Sequence, residues 1–387
     1  MTRQTGSLPI LCLLNTLPFR VFRVFRGNIL IVRFIISLMT KSAELGFGII
    51  GSGMIANYHA LAIKDALGAR LVGVAGRNAT TAQALAEKHG AIFHTTDIEA
   101  LVSRDDIHVI CITTPSGAHL EPALAAIHAG KHIVIEKPLE VTVERVDALL
   151  AAAQQAGVIV APIFQARFGA NAQLIKSALE AGRFGKLVLA SAYVKWHRAK
   201  DYYQGWKGTR ALDGGGATMN QAIHGLDLLQ WFAGMPVEVF GRTTRRVHTG
   251  IESEDTACAT LRYADGALGN IEASTATYPG WSRRIEICGE HGSVSLEDDT
   301  IARWNFREEQ PGDEAIRHAA ADTAMGSGSS NPSAISHQGH LRQIQDLINH
   351  LRDGIPLGID GPEARKAVSL IRALYASAES GRLVAPA

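Results

Sequence analysis

Five short apolar runs alternate with helix-like stretches between about Leu45 and Pro162. The runs read GFGIIG, LVGVAG, VICITT, HIVIEK and VIVAPI, and the stretches between them are rich in Ala, Leu, Glu and Gln. Strands that alternate with helices of this length form βαβ units around a parallel sheet. Continuous apolar runs are typical of strands that have helices on both faces. Residues 44–162 therefore predict an α/β domain, a doubly wound parallel sheet of the Rossmann type.

The pattern changes after Pro162. Six further strand-like segments follow, separated by turn residues, and they read LVLASAYVKW, VEVFGRTT, TACATLRY, ALGNIEAST, RIEICG and GSVSLE. They predict a second domain of α+β type over 163–387, with a large, mostly antiparallel open sheet. Residues 308–335 are polar and include GSGSSNPS, which predicts a loop. Two amphipathic helices are expected at about 336–352 and 362–380.

Composition and charge exclude several classes of partner. Of the 387 residues, 47% are hydrophobic and 19% are charged, which is typical of a soluble globular protein. The formal net charge of +1 offers no field of one sign to hold a polyanion, so nucleic acid is not expected as a partner. The four cysteines form no CxxC pair, and histidines and cysteines do not cluster at metal-ligand spacing. These features predict a reducing cytoplasm and no metal site.

The first 43 residues differ from the remainder of the chain. They are apolar but carry several arginines, and their longest charge-free stretch, 4–19, is too short to span a bilayer. Two interpretations remain open: an Arg-rich targeting peptide, or a native start at Met39, directly before the first strand. In either case, we expect residues 1–43 to form an extension outside the fold that adds nothing to the chemistry, and no membrane partner is predicted.

A GxGxxA motif follows the first strand and opens a helix. In such a motif the first glycine makes the tight turn, the second lets the backbone approach a pyrophosphate, and the small third residue lets the helix pack on the strand. The helix N-terminus then presents unpaired N–H groups to the phosphates. The motif and its context predict dinucleotide binding by Gly51, Gly53, Met54 and Ile55.

The end of the second strand indicates which dinucleotide is bound. An NAD-binding domain usually carries an acid about 20 residues past the motif, where it binds the ribose 2′-OH. Here that place is taken by Gly76, followed by Arg77 and Asn78. No acid repels a 2′-phosphate, and an arginine is placed to bind one, so NADP is favoured over NAD. The alternative is that Arg77 is a solvated loop residue.

Polar residues follow two later strands of the predicted parallel sheet. Thr113, Thr114 and Pro115 end the third apolar run, and Glu136-Lys137-Pro138 ends the fourth. Ligands of such sheets bind in the crevice outside the carboxyl ends of the strands. A lysine at position 137 could therefore reach a nicotinamide, whereas a surface turn is the simpler alternative.

Three segments together resemble the glucose–fructose oxidoreductase, inositol dehydrogenase and rhizopine-catabolism family (Gfo/Idh/MocA). They are GSGMIA, TTPSGAHLEPALAAIHAGKHIVIEKPL and GGGATMNQAIHGLDLLQWFAG. The resemblance extends from about Leu45 to the end of the chain. It implies an NAD(P)-dependent oxidoreductase that acts on hydroxyls of sugars, cyclitols or their derivatives. It also implies a homodimer or homotetramer formed through the open C-terminal sheet.

The resemblance carries over to individual residues. The lysine of the EKP tripeptide, Lys137, is implied to be catalytic, and His224 is implied to be the acid/base of a D-x-x-x-H pattern. Asn220 replaces the aspartate of that pattern, so a negative charge is missing there, although an amide can still orient a hydroxyl. Further cofactor contacts are implied for Thr113, Thr114, Pro115, His119, Glu136 and Lys137, in addition to Arg77 and Asn78.

The helix expected from Gly216 to Phe232 places Asn220 and His224 on one face, since they are four residues apart. A histidine among apolar neighbours is otherwise often a satisfied core residue. Asp227, three residues further on, could orient the imidazole or bond to the backbone.

Substrate contacts are predicted from the residues around this helix. Aromatic faces and hydrogen-bond donors suit a polyhydroxylated ring, and these residue types are supplied by Arg167, Arg198, Trp206, Lys207, Asn220 and His224. The stretches YYQGWKGT and GIESEDTA resemble the family branch that oxidises nucleotide-linked amino sugar acids. Two other functions remain open: a glycoside hydrolase that works by transient oxidation with a bound NAD, and a dinucleotide-binding regulator without turnover.

Overall fold

A computed structural model describes residues 44–319 and 336–387. The predicted extension 1–43 lies outside the described residues, as does most of the predicted loop 308–335. Within the described part, no helix has the length and apolar character needed to cross a bilayer.

The first half forms a parallel sheet, as predicted, and the sheet has six strands. Its strands are β1 (Leu45–Ile50), β2 (Ala69–Ala75), β3 (Phe93–Thr95), β4 (Val109–Ile112), β5 (His132–Ile135) and β6 (Val160–Pro162). All neighbours pair in parallel, in the order β3-β2-β1-β4-β5-β6, which is the doubly wound Rossmann order. Strand β3 was not predicted, because its three residues are too short to form an apolar run.

Helices cover both faces of this sheet. They are α1 (Met54–Asp65), α2 (Ala79–His89), α3 (Ile98–Val102), α4 (Leu120–His128) and α5 (Val143–Ala156). Side chains of Asn78, Asp97 and Thr142 cap the starts of α2, α3 and α5 by accepting a backbone N–H. The inner strands are buried along their length, which explains why they are continuously apolar.

The second half forms a seven-stranded sheet. Its strands are β7 (Leu187–Lys195), β8 (Glu238–Thr244), β9 (Thr256–Arg262), β10 (Leu268–Ser274), β11 (Arg284–Gly289), β12 (Gly292–Glu297) and β13 (Thr300–Phe306). The order is β13-β12-β11-β7-β10-β9-β8, in which only the β7–β10 pair is parallel. The prediction of a mostly antiparallel sheet is confirmed.

Five α-helices accompany this sheet in the described residues: α6 (Ala170–Glu180), α7 (Ile223–Ala233), α8 (Asp313–Arg317), α9 (Gln338–Asp353) and α10 (Gly361–Ser380). Helix α8 lies inside the segment predicted as a loop. The carboxylate of Asp313 anchors it by accepting from Trp304 Nε1 at 2.7 Å and from the Arg183 guanidinium at 2.9 and 2.7 Å.

The last two helices join the halves of the molecule. Helix α10 packs on β8, α7 and α5, whereas α9 returns to the first half and packs on α1. Ile344, Leu347 and Ile348 of α9 belong to the same buried cluster as Ala60 and Ile63 of α1. The C-terminal segment therefore completes the core of the first half of the molecule.

Candidate functional site

A cavity of about 900 Å³ lies at the carboxyl ends of the parallel strands, between the two sheets. It is lined by seventeen of the eighteen predicted site residues: Gly51, Gly53, Met54, Ile55, Arg77, Asn78, Thr113, Thr114, Pro115, His119, Glu136, Lys137, Arg198, Trp206, Lys207, Asn220 and His224. Only Arg167 is missing from this lining. Residues from both halves therefore meet around one space large enough for a cofactor and a small substrate.

The GxGxxA turn has the geometry that a pyrophosphate requires. Gly51 has φ +116°, and a Cβ there would meet the side-chain oxygen of Thr113 at 2.5 Å, so only glycine fits. Gly53 stands at the N-cap of α1 without a side-chain cap, and nothing lies within 4 Å of where its Cβ would be. The first turn of α1 contains no acid. Its backbone N–H groups are thus open to an anion.

The end of β2 combines an exposed arginine with a capped helix. Arg77 is exposed and lines the cavity. Asn78 lines it too, but its side-chain oxygen already accepts from the backbone N–H of Thr81 at 3.2 Å. Ser52 in the glycine turn lies 2.7 Å from the hydroxyl of Thr81, which ties the turn to α2. Arg77 is therefore the side chain of this pair that remains available to a ribose.

His119 connects the two loops of the cavity floor. Its Nδ1 lies 2.9 Å from the Pro138 carbonyl and its Nε2 lies 2.9 Å from the Thr114 carbonyl. Burial lowers the pKa of His119, so the ring is neutral and donates to one of these carbonyls at a time. The ring braces the floor, and each of its nitrogens faces a backbone carbonyl.

Glu136 sits at the centre of a buried cluster. Its Oε1 accepts from Nε2 of His59 at 3.0 Å and from Nε2 of His340 at 2.9 Å, while Oε2 accepts the backbone N–H of Lys137 at 3.2 Å. Burial opposes ionisation, yet the hydrogen bonds from His340 and His59 hold the pKa of Glu136 well below its usual range. The carboxylate is therefore charged and fixed directly beside Lys137.

The side chains of His59, Glu136 and His340 also place potential metal ligands within 4.8 Å of one another. A histidine bound to a metal through Nε2 needs a partner for its Nδ1–H. Within the described residues, Nδ1 of His59 and Nδ1 of His340 are buried and have no partner. An unpaired buried N–H is rarer than an unpaired acceptor. The cluster therefore fits two Nε2–H donors around a carboxylate better than it fits a metal centre.

Lys137 extends from the end of β5 toward the second half of the molecule. Its Nζ donates to the backbone carbonyl of Asn220 at 3.0 Å. Burial and the nearby Arg198 lower the pKa of Lys137, whereas Glu136 and Asp213 raise it. Desolvation prevails, so the pKa of Lys137 lies below its usual value, and the charges of the two acids limit this lowering.

His224 lies on α7 and lines the cavity. Its ring meets Phe164 edge-on at 5.8 Å, and its Nδ1 has no partner in the described part of the chain. Burial, Lys137 and Arg283 hold the pKa of His224 well below its usual range. The imidazole is therefore neutral at pH 7 and can accept a proton.

A single uniform helix was expected around Asn220 and His224, and the structure differs. Residues Ala217–Ala222 form a π-helical turn, and the α-helix begins only at Ile223. Gly216 precedes this turn because a Cβ there would overlap the Glu254 carbonyl oxygen at 1.8 Å. Asn220 lies in this turn, lines the cavity and accepts the Lys137 hydrogen bond on its carbonyl, and π-helical turns are frequent at functional sites.

Arg167 is the correction among the predicted site residues. It is 1% exposed, and its guanidinium binds Asp227 through two hydrogen bonds of 2.7 Å. A third hydrogen bond of 3.1 Å runs from its Nη2 to Glu363 of α10. Asp227 pairs with this cation and also accepts from the Gln230 side-chain amide at 3.2 Å, and in the described residues no hydrogen bond joins its carboxylate to His224 or to a backbone N–H. Arg167 joins buried elements and leaves the set of candidate substrate contacts.

Family models match both halves of the chain. Residues 45–164 match an oxidoreductase family with an NAD-binding Rossmann fold, and residues 172–295 match the GFO/IDH/MocA C-terminal domain. The chain belongs to the Gfo/Idh/MocA oxidoreductase family.

Relatives of known structure and activity share most of its length. The WlbA dehydrogenase of Bordetella pertussis, solved with NADH and UDP-GlcNAcA, is 32% identical with a TM-score of 0.81, and the match covers 89% of this chain and 98% of that one. The myo-inositol 2-dehydrogenase of Thermotoga maritima is 26% identical over 87% of this chain and 97% of its own. The D-glucoside 3-dehydrogenase of Escherichia coli is 27% identical over 90% and 99%. Like them, this Gfo/Idh/MocA protein is a dinucleotide-binding oxidoreductase.

Sequence reasoning missed several residues of this Gfo/Idh/MocA site. Tyr202, Gln221 and Arg283 line the cavity. The Tyr202 hydroxyl donates to the side-chain oxygen of Asn220 at 3.0 Å, and the Gln221 side-chain oxygen accepts from Arg198 at 3.1 and 2.5 Å. Tyr202 lies in the aromatic stretch already considered for substrate binding, but no local pattern in the sequence marks Gln221 or Arg283.

Proposed function

We propose that this protein oxidises a secondary hydroxyl of a sugar, cyclitol or nucleotide-linked sugar, with Lys137 and His224 managing the hydroxyl proton. The observation that carries the proposal is the meeting of a charged Lys137, held on the Asn220 carbonyl, with a neutral His224 at the carboxyl edge of the dinucleotide-binding sheet. A charge-stabilising cation next to a neutral base suits proton removal from an alcohol.

Each residue has a distinct part in this reaction. A bound nicotinamide would supply the acceptor for the hydride that leaves the carbinol carbon. The Lys137 ammonium stabilises the negative charge that develops on the hydroxyl oxygen. The His224 imidazole accepts the proton. Asn220 orients the hydroxyl, because its amide is held in place by Tyr202.

The cofactor in this proposal is NADP in preference to NAD. Arg77 supports it, since this side chain is exposed, lines the cavity and follows Gly76, where an acid would otherwise bind the 2′-OH. The turn itself serves either dinucleotide, and the WlbA structure contains NADH. Arg77 therefore decides the preference.

The substrate in this proposal is a polyhydroxylated ring bound by Trp206, Arg198 and Lys207. All three line the cavity on the side formed by the second half of the molecule. Lys207 lies 3.7 Å above the ring of Tyr202, which directs its ammonium over an aromatic wall. An aromatic wall of this kind can pack against a sugar ring. It therefore supports a substrate of the class named for the relatives, a sugar nucleotide or a cyclitol.

We also infer a cytoplasmic homodimer or homotetramer that associates through the open sheet. Leu189 and Leu268 are partners on the neighbouring strands β7 and β10, and they are 43% and 55% exposed. Exposed apolar pairs on an uncovered sheet favour association. Light scattering on Leu268→Lys tests this: a smaller assembly supports the inference, and an unchanged mass argues against it.

The test of function begins with ligands that stay bound during purification. Mass spectrometry identifies the retained dinucleotide. Wild-type protein is then mixed with NAD or NADP and with myo-inositol, methyl glucosides and UDP-N-acetylglucosaminuronate, and reduced nicotinamide is followed by its absorbance. We expect reduction with at least one of these probes. Cleavage of a glycoside without net reduction would identify a hydrolase instead, and binding of dinucleotide without any reaction would identify a regulator.

A further inference from the structure

The family pattern D-x-x-x-H has an amide at its first position in this chain, yet an acid lies against that amide. Asp213 directly precedes the glycine triplet, seven residues before Asn220. Its Oδ1 accepts a hydrogen bond from Nδ2 of Asn220, and its Oδ2 accepts the backbone N–H of Gly208 at 2.7 Å. A carboxylate is thus present near position 220, but it belongs to Asp213 and is hydrogen-bonded to the side chain that occupies that position.

Asp213 is completely buried, but it faces cations from several parts of the site. Lys137 at the end of β5 and Lys207 in the preceding loop both act on its charge. Burial raises the pKa values of Tyr202 and Tyr203, and the negative charge of Asp213 raises them further. These four side chains are titratable groups whose charges interact with that of Asp213. An ionised Asp213 is therefore balanced chiefly by Lys137 and Lys207.

We propose that Asp213 is a positioning residue that supplies, through Asn220, the negative charge that the D-x-x-x-H pattern otherwise carries next to the catalytic lysine. This role rests on the proposed function of Lys137 and His224. Asp213 itself does not line the cavity and acts through its neighbour.

The hydrogen bonds give the amide one orientation. Because Nδ2 of Asn220 donates to Asp213, its Oδ1 is turned toward the Tyr202 hydroxyl. The backbone carbonyl of the same residue, Asn220, accepts a hydrogen bond from the Lys137 ammonium. Asp213 thus fixes the group that orients the substrate hydroxyl, and its charge favours the protonated form of Lys137.

Protonation of Asp213 should then appear in the activity. Burial raises the pKa of Asp213 to about 6, against the opposing influence of Gly208, Asn220, Lys137 and Lys207. Above this pH the carboxylate is charged and supports Lys137, and below it the charge is lost. Since His224 protonates only at lower pH, Asp213 sets the acid limb of kcat in the wild type.

The experiment exchanges the two side chains. Asp213→Asn keeps an acceptor for the Gly208 N–H, so the turn is retained, while the charge and the acceptor for Nδ2 of Asn220 are removed. We expect kcat to fall about 10- to 100-fold, in the range that misplacement of a catalytic group produces. The acid limb near pH 6 should move to lower pH. The double variant Asp213→Asn/Asn220→Asp returns the charge to position 220 and should recover most of kcat. Asp201→Asn removes an exposed acid of the same loop and should leave kcat unchanged.

A readout that needs no turnover separates this inference from the proposed function. The titration of Lys137 is followed by the Cε shift in ¹³C-lysine-labelled protein. Asp213→Asn should lower its midpoint by about one pH unit, a tenfold change in proton affinity, and the exchange variant should raise it again. An unmoved midpoint, or an exchange variant no better than Asp213→Asn, would overturn the role of Asp213. If the midpoint shifts but no probe is oxidised by the wild type, only the proposed function fails.

Discussion

The Lys137 ammonium donates to the backbone carbonyl of Asn220, 3.0 Å away and 83 positions along the chain. One residue ends a strand of the dinucleotide-binding sheet, and the other lies in the π-helical turn of the second half. This bond spans the cleft between the two halves. The position of the Lys137 ammonium therefore depends on the domain that we propose binds the substrate.

Lys137→Met removes this cation while keeping the length of the side chain. We expect kcat to fall by about 10²–10⁴-fold, since the developing alkoxide loses its charge partner. Dinucleotide affinity, measured by fluorescence titration, should remain within a few-fold of the wild type. Near-normal turnover of the true substrate would reduce Lys137 to a turn residue.

His224→Ala removes the proton acceptor, and a loss of about 10²–10⁴-fold in kcat is expected. Because the pKa of His224 is held well below its usual range, the wild-type base remains neutral down to pH values well under 6.5. The double variant with Lys137→Met should be little worse than the poorer single variant, since the two residues act as a unit. Additive losses in steady-state kinetics would show that they act independently.

Arg77→Ala tests the cofactor preference. The substitution removes the guanidinium that we expect at the 2′-phosphate, so the Kd of NADP should rise while that of NAD stays nearly constant. Both constants are measured by calorimetry on the same protein. Arg70→Ala removes another arginine of the same strand region as a matched control. An NADP/NAD ratio unchanged by Arg77→Ala would show that Arg77 does not contact the ribose phosphate.

Arg167→Met leaves Asp227 buried without its cation. Breaking such a pair costs about 3–5 kcal/mol in the free energy of unfolding, and replacing both partners with apolar residues costs far less. Urea denaturation should therefore show a large loss for Arg167→Met and a smaller one for Arg167→Met/Asp227→Leu. If stability were unchanged and KM rose instead, Arg167 would be a substrate contact after all.

His340→Leu removes one of the two histidine donors to the Glu136 carboxylate. We expect the pKa of Glu136 to rise, because the charged form loses a hydrogen bond, so the carboxyl group takes up its proton at a higher pH than in the wild type. The titration of Glu136 is followed by the carboxyl ¹³C shift in labelled protein. His340→Gln keeps an N–H donor and should restore much of the wild-type titration. His337→Gln, on the adjoining turn and paired with Asp65, is the matched control. A Glu136 titration that stays in place in His340→Leu would leave the histidine a packing role only.

Short sequence motifs correctly predicted those parts of the site that depend on the local geometry of the chain. The glycine turn, the strand ends and the EKP tripeptide lie on contiguous residues, and each is found at the cavity. The family resemblance placed Lys137 and His224 there as well. The two C-terminal helices were also predicted to within two residues of their observed bounds.

The unpredicted features depend on pairs that are distant along the chain. Arg167 meets Asp227 after 60 residues and Glu363 after 196, and Glu136 meets His340 after 204. Hydropathy and motif spacing carry no information about such partners. The buried ion pair of Arg167 was therefore not predicted from its neighbours in sequence, and neither was His340.

The return of α9 to the first half sets an order on biosynthesis. The parallel sheet is complete once Pro162 has emerged, but Glu136 gains its second histidine only after residue 340 has been made. At synthesis rates of about 5–20 residues per second, this delay lasts roughly 10–35 s. During this interval Glu136 lacks its hydrogen bond from His340. The hydrogen bonds around Glu136 are therefore completed only with the last helices, well after the domain that bears Lys137 has been made.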